Sequence, residues 1–138
     1  MSYAQHRLWF MEQLQPGRRD YVVTSAVQLR GRLDPTALRT ALRRLTERHA
    51  ILRTRFRPDP DGTVRPVADL PAPRLLTVRA GDATSAQHLL SDRLLRPFDL
   101  ADGPLTRMVL GEIGNMEHVL GIAFHHAIVD GWSVRLIW

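Results

Sequence analysis

The sequence predicts an α/β or α+β domain built around a largely buried sheet. Two amphipathic helical stretches, 35–49 and 84–96, alternate with short runs rich in β-branched residues. A Gly114-Asn115 spacer between two apolar segments signals a hairpin. Helical and strand patterns are mixed along the whole chain, with no internal repeat and no low-complexity segment.

Taken in order, residues 4–14 read as a short helix with Ala4, Leu8, Met11 and Leu14 at helical spacing, stopped by Pro16-Gly17. Tyr21 to Leu29 reads as a strand, ended by Gly31. The strongest helix is 35–49: Asp34 offers an N-cap, Pro35 fits the first helical position, and Leu38, Leu42 and Leu45 form the apolar stripe. Ile51 to Arg57 is expected to be a second strand, and Thr63 to Val67 a third that pairs back across the turn at Pro58–Gly62. The Pro-rich piece 71–73 connects to a strand at Leu75–Arg79. A second amphipathic helix follows from Thr84 to Arg96, stopped by Pro97, with Ala86, Leu89, Leu90 and Leu94 apolar. Leu105 to Ile113 and Glu117 to His126 are the two strands flanking the Gly114-Asn115 turn.

Composition narrows the function classes. The chain has 138 residues, 44% hydrophobic and 24% charged, as a soluble globular domain does. All 19 basic residues are arginine, against 14 acidic ones, for a formal charge of +5. The arginines are scattered, often beside Asp or Glu, and no stacking-aromatic pattern accompanies them, so nucleic acid is not an expected partner. The missing lysines fit a GC-rich codon habit. No apolar run approaches the roughly 20 residues of a membrane span, and no signal peptide is visible. Zero cysteines exclude a disulfide scaffold, a thiolate zinc site and a cysteine nucleophile. A cytoplasmic protein is expected.

One segment concentrates reactive groups: His125-His126-Ala127-Ile128-Val129-Asp130-Gly131-Trp132-Ser133. Strand alternation puts His118, Leu120, Ile122, Phe124 and His126 on one face and Val119, Gly121, Ala123 and His125 on the other. The two histidines therefore point in opposite directions, and at most one faces a given cavity. Asp130, four residues beyond His126, has two available jobs: to orient a histidine ring, or to pair with an arginine and fix the loop. Gly131 permits close approach of backbone to a ligand, and its N–H near a helix start can meet negative charge on an acyl oxygen. A satisfied structural cluster is the competing reading of these residues. Metal binding by His126 and Asp130 is another, although no third ligand is clear nearby.

This segment resembles the signature of the condensation domains of nonribosomal peptide synthetases. Two further stretches agree. Ser2-Tyr3-Ala4-Gln5-His6-Arg7-Leu8-Trp9-Phe10 resembles the family's opening motif, S-x-A-Q-x-R-L-W. Arg48-His49-Ala50-Ile51-Leu52-Arg53-Thr54-Arg55-Phe56 resembles its second, R-H-E-x-L-R-T-x-F, with Ala50 where glutamate is usual. The runs Pro97-Phe98-Asp99-Leu100 and Gly103-Pro104-Leu105 are also similar to the family.

The resemblance implies a chloramphenicol-acetyltransferase-like lobe, a mixed sheet flanked by helices, with residues 1–138 as the N-terminal lobe of a two-lobed domain and the C-terminal lobe absent. It implies amide-bond formation between a thioester donor and an amine acceptor. Both would be carried on phosphopantetheine arms supplied by donor and acceptor carrier proteins, with neighbouring synthetase domains as further partners and no other cofactor or metal. His126 matches the histidine beside the reacting amine and His125 the structural one. Asp130 matches the aspartate that holds the loop through an arginine, and Gly131 the backbone donor near the carbonyl. Arg53 is the expected partner of Asp130, with Trp132 and Ser133 as structural support. The absence of D-x-x-x-x-D argues against a heterocyclising relative, and Gly131-Trp132 against an epimerising one. The motifs are most like domains joining an L donor to an L acceptor. Three readings stay open: a catalytic lobe that is inactive by itself, a truncated relative that only recruits a partner, and another acyltransferase with an H-x-x-x-D core.

Overall fold

The computed structural model describes all residues 1–138. Each long helix starts where a side chain satisfies its free N–H groups. Ser2 opens helix α1 (Tyr3–Leu14) with a capping box: its hydroxyl accepts from the Gln5 N–H at 3.2 Å, and its own N–H donates to Gln5 Oε1 at 2.9 Å. Asp34 opens α2 (Pro35–Arg48), accepting from Thr36 and Ala37 N–H at 2.8 and 3.1 Å. Asp82 opens α3 (Ala83–Leu94) by accepting from Ser85 N–H at 2.7 Å. No helix is long and apolar enough to cross a membrane.

Four strands form the main sheet in the order β1 (Val22–Arg30), β6 (Glu117–His125), β5 (Thr106–Glu112), β4 (Leu75–Arg79). The β1–β6 and β6–β5 pairs are antiparallel, and β4–β5 is parallel through the α3 crossover, so the sheet is mixed as expected. Strands β2 (Arg55–Pro58) and β3 (Val64–Val67) form a separate two-stranded hairpin across the predicted turn.

Three local expectations need correction. Residues Ala50–Arg53 form a 3₁₀ turn, and strand β2 begins only at Arg55. The Thr54 hydroxyl donates to the Ala50 carbonyl at 3.0 Å, and the Arg53 guanidinium donates to the carbonyls of Thr46 (3.1 Å) and Leu70 (3.4 Å). These bonds, one of them to a carbonyl 17 residues away, curl an apolar segment that reads as strand. The β5–β6 connection is three residues, Gly114-Asn115-Met116, because Ile113 N–H already bonds Glu117 O at 3.0 Å. Strand β6 ends at His125, one residue early. His126 N–H donates instead to the Tyr21 carbonyl at 2.8 Å, and the chain then turns.

Helix α3 covers one face of the sheet through a seam of missing side chains. A Cβ on Gly121 would lie 2.6 Å from Leu94 Cδ1 and 3.0 Å from Leu90 Cδ2, and one on Gly111 would lie 2.8 Å from Leu90 Cδ1. The two leucines are buried, so the backbone of β5 and β6 lies directly beneath them. On the opposite face the buried Thr106 hydroxyl donates to Leu52 O of the 3₁₀ turn at 3.2 Å, and Trp138 Nε1, just past helix α4 (Gly131–Ile137), donates to Ser25 Oγ at 2.9 Å. Gly121→Val is expected to destabilise the fold by about 1–3 kcal/mol, through overpacking against α3. Gly114→Ala, at a loop site where a Cβ meets nothing within 4 Å, should stay within about 0.5 kcal/mol of the parent. Denaturant unfolding of the two variants checks the contrast.

Candidate functional site

The site forms at the end of β6, an inner strand hydrogen-bonded to β1 on one side and β5 on the other. His125 is the last strand residue, paired with Val22 and lying on the α3 face with Gly121 and Ala123. It is only 2% exposed. Tyr21 and Phe98 enclose its ring at centroid distances of 6.1 and 6.2 Å, Phe98 edge-on. Its Nδ1 accepts the Ala127 N–H at 3.0 Å. That nitrogen therefore carries no proton, and the neutral ring keeps its hydrogen on Nε2. Burial, and secondarily the neighbouring His126, push His125 down to about 4.

His126 has the opposite environment. It is exposed and opens into a groove of about 540 Å³ shared with Gln5, Asp20, Tyr21, Asp130 and Ser133. The segment after it is buried at Ala127, Ile128 and Val129, so the loop is anchored by apolar packing while the imidazole stays free. The predicted division of the two histidines is thus present, one inside and one facing a cavity.

Asp130 does neither of the two jobs open to it in the sequence. It caps α4, with one carboxylate oxygen accepting from Ser133 N–H at 2.8 Å and from Ser133 Oγ–H at 2.6 Å. The Ser133 hydroxyl and then its N–H hold the Asp130 carboxyl below its usual range. The expected Arg53–Asp130 ion pair is not formed, because the Arg53 head is bonded to the carbonyls of Thr46 and Leu70. Ser133 does support the loop, through Asp130. Trp132 does not support it here: it is 70% exposed on α4. Gly131 is the first residue of α4, and a Cβ there would meet nothing within 4 Å, so packing within this chain does not require glycine.

Two contacts at the site lie outside the sequence reading. Gln5 Nε2 donates to the Ala127 carbonyl at 3.0 Å, tying the first turn of α1 to the residue after His126. Tyr21 both receives the His126 N–H and packs on the His125 ring. Gln5 was visible only as a letter of the opening motif. Tyr21 becomes visible once β1 is placed in register against β6.

The comparisons with known proteins agree with this architecture. The condensation-domain family profile matches residues 1–138. The chain is 39% identical over 143 residues to phosphinothricin tripeptide synthetase PhsC of Streptomyces viridochromogenes, covering 99% of the chain but 13% of that protein. It is 42% identical over 138 residues to cyclosporin synthetase simA of Tolypocladium inflatum, covering 98% of the chain and 1% of that protein. The chain thus spans only a small part of the curated relatives it matches. Among solved structures, the starter condensation domain of rhizomide synthetase RzmA superposes with a TM-score of 0.91 at 25% identity, over 99% of this chain and 34% of that one. The first condensation domain of the calcium-dependent antibiotic synthetase, in complex with a substrate analogue, gives 0.87 at 25% identity over the same shares. The fold is therefore that of condensation-domain structures, and with the profile matched from end to end, this chain belongs to the condensation-domain family.

Proposed function

We propose that residues 1–138 are the N-terminal lobe of a nonribosomal peptide synthetase condensation domain and carry its reacting histidine, His126. The observation that carries this reading is the split at the end of β6: His125 is sealed in and neutral, and His126 is open to a groove. The match to about a third of each solved domain's length supports the view that the rest of the site comes from a second lobe. By itself the chain would form only one wall of the reaction chamber, so it is proposed to have little condensation activity alone.

The reaction joins two substrates delivered on the phosphopantetheine arms of donor and acceptor carrier proteins. The acceptor amine nitrogen attacks the donor thioester carbonyl, a C–N bond forms, and the C–S bond breaks to release the donor arm's thiol. The amine loses one proton and the departing thiolate gains one. His126, with its open imidazole, is placed to take the proton or to hold the amine in line. His125 serves as the fixed support from which the next residue projects. Asp130 and Ser133 hold the start of α4, and Gly131 N–H is the proposed donor toward the acyl oxygen.

In a protein carrying both lobes, His126→Ala is expected to lower amide formation by about 10²–10⁴-fold with little loss of stability. A variant that retains near-parent turnover with carrier-bound substrates would remove His126 from the chemistry. His125 has a different signature. Its folded-state value is depressed below that of the unfolded chain, so the unfolded state takes up the proton first as pH falls. The stability this group gives is fully present above about 6.5 and is lost on descent toward about 4, by about 3 kcal/mol. His125→Asn, which offers an acceptor to Ala127 N–H without titrating, should lower stability at neutral pH but remove this part of the pH dependence. Urea unfolding of parent and variant between pH 7 and 4 measures the difference.

A further inference from the structure

A second groove lies away from the His126 site and shares no lining residue with it. It encloses about 640 Å³ beside the β4 edge, between the end of α3 and the Pro71–Arg74 connection, within the size range of small-molecule sites. Four arginines line it, Arg74, Arg93, Arg96 and Arg107, and no carboxylate does. None of the four forms an ion pair, although six other arginines of the chain do.

Part of this has a local explanation. Arg93 is in the last turn of α3, where a cation complements the helix dipole, and Arg96 Nε donates to the Asp92 carbonyl at 3.1 Å. Arg107 is held differently. It sits on β5, on the α3 face with its partner Ala123, and its guanidinium lies 3.7 Å from the Phe98 ring centroid. Its two terminal nitrogens donate to the carbonyls of Arg96 and Pro97. Burial and the nearby Arg96 charge push it below its ordinary value. A partly desolvated guanidinium fixed beside a second one is unfavourable unless a counter-charge arrives. The neighbouring wall is apolar, with Leu76 43% exposed and Val109 beside it.

We propose that this groove binds an organic phosphate with an apolar body, because four arginines and no carboxylate line it beside the exposed Leu76 wall. A phosphomonoester brings about −1.5 to −2 charges at neutral pH, more than one carboxylate supplies, and it fits the guanidinium fork. The site does not depend on the proposed amide chemistry.

Titration of the full chain by calorimetry and phosphorus NMR tests this, with n-butyl phosphate, inorganic phosphate and valerate as probes. The expected result is saturable one-to-one binding of n-butyl phosphate, about tenfold tighter than inorganic phosphate as the alkyl group meets the apolar wall. Valerate should bind at least about tenfold more weakly than n-butyl phosphate. Arg107→Gln removes the fixed guanidinium but risks the fold. The exposed-side double change Arg93→Gln with Arg96→Gln is therefore the decisive variant, with an expected loss of about tenfold or more. Arg65→Gln, whose side chain pairs with Asp59 at the β2–β3 hairpin away from the groove, serves as the control and should bind as the parent does. No saturable binding, equal weakening by the control, or valerate binding as tightly as n-butyl phosphate would each overturn the proposal.

Discussion

Everything at the site depends on the hydrogen-bonded confinement of strand β6. Both of its edges are occupied, by β1 over nine residue pairs and by β5 over seven. A strand held this way cannot slip by one residue without exchanging its two faces and driving a large side chain into the place where Leu90 and Leu94 need Gly121. Its end is fixed in the same way, so the two adjacent histidines must part. His125 enters the layer under Tyr21 and Phe98, and His126 leaves the ladder for the groove. The glycines at 111 and 121 serve the same confinement, since they let Leu90 and Leu94 of α3 rest on the strand backbone.

Electrostatics then divides the pair. The inner imidazole accepts a backbone N–H and lies in an apolar enclosure, which leaves protonation only at the cost of that bond and that enclosure. The loop beyond is held without any ion pair. Ala127, Ile128 and Val129 are buried, Gln5 binds the Ala127 carbonyl, and Asp130 caps α4. Arginine abundance made a salt bridge to Asp130 easy to imagine, but Arg53 is engaged with two main-chain carbonyls at the turn that carries it. Within this lobe the loop rests on capping and packing.

Much of this was legible in the residues. The cap at Asp34, the leucine stripe of α2, the hairpin into β6 and the opposed histidines follow from local rules that the tertiary fold does not override. What escaped the sequence depends on contacts between distant segments. The 3₁₀ turn at Ala50–Arg53 is stabilised by carbonyls at Thr46 and Leu70, the second of them 17 residues away. The Gln5–Ala127 bond joins residues 122 apart. The Asp130 cap differs: Asp-x-x-Ser is a local signal, but the same carboxylate equally suits a histidine or an arginine partner.

The relatives and solved domains extend well beyond the region matched here. The two neighbouring imidazoles can be told apart by their chemical reactivity. Brief treatment with diethyl pyrocarbonate at neutral pH, followed by fragmentation of the peptide containing both histidines, reports each ring separately. Carbethoxylation of His126 is expected, with His125 protected until the protein unfolds. Equal reaction at both, or faster reaction at His125, would contradict it.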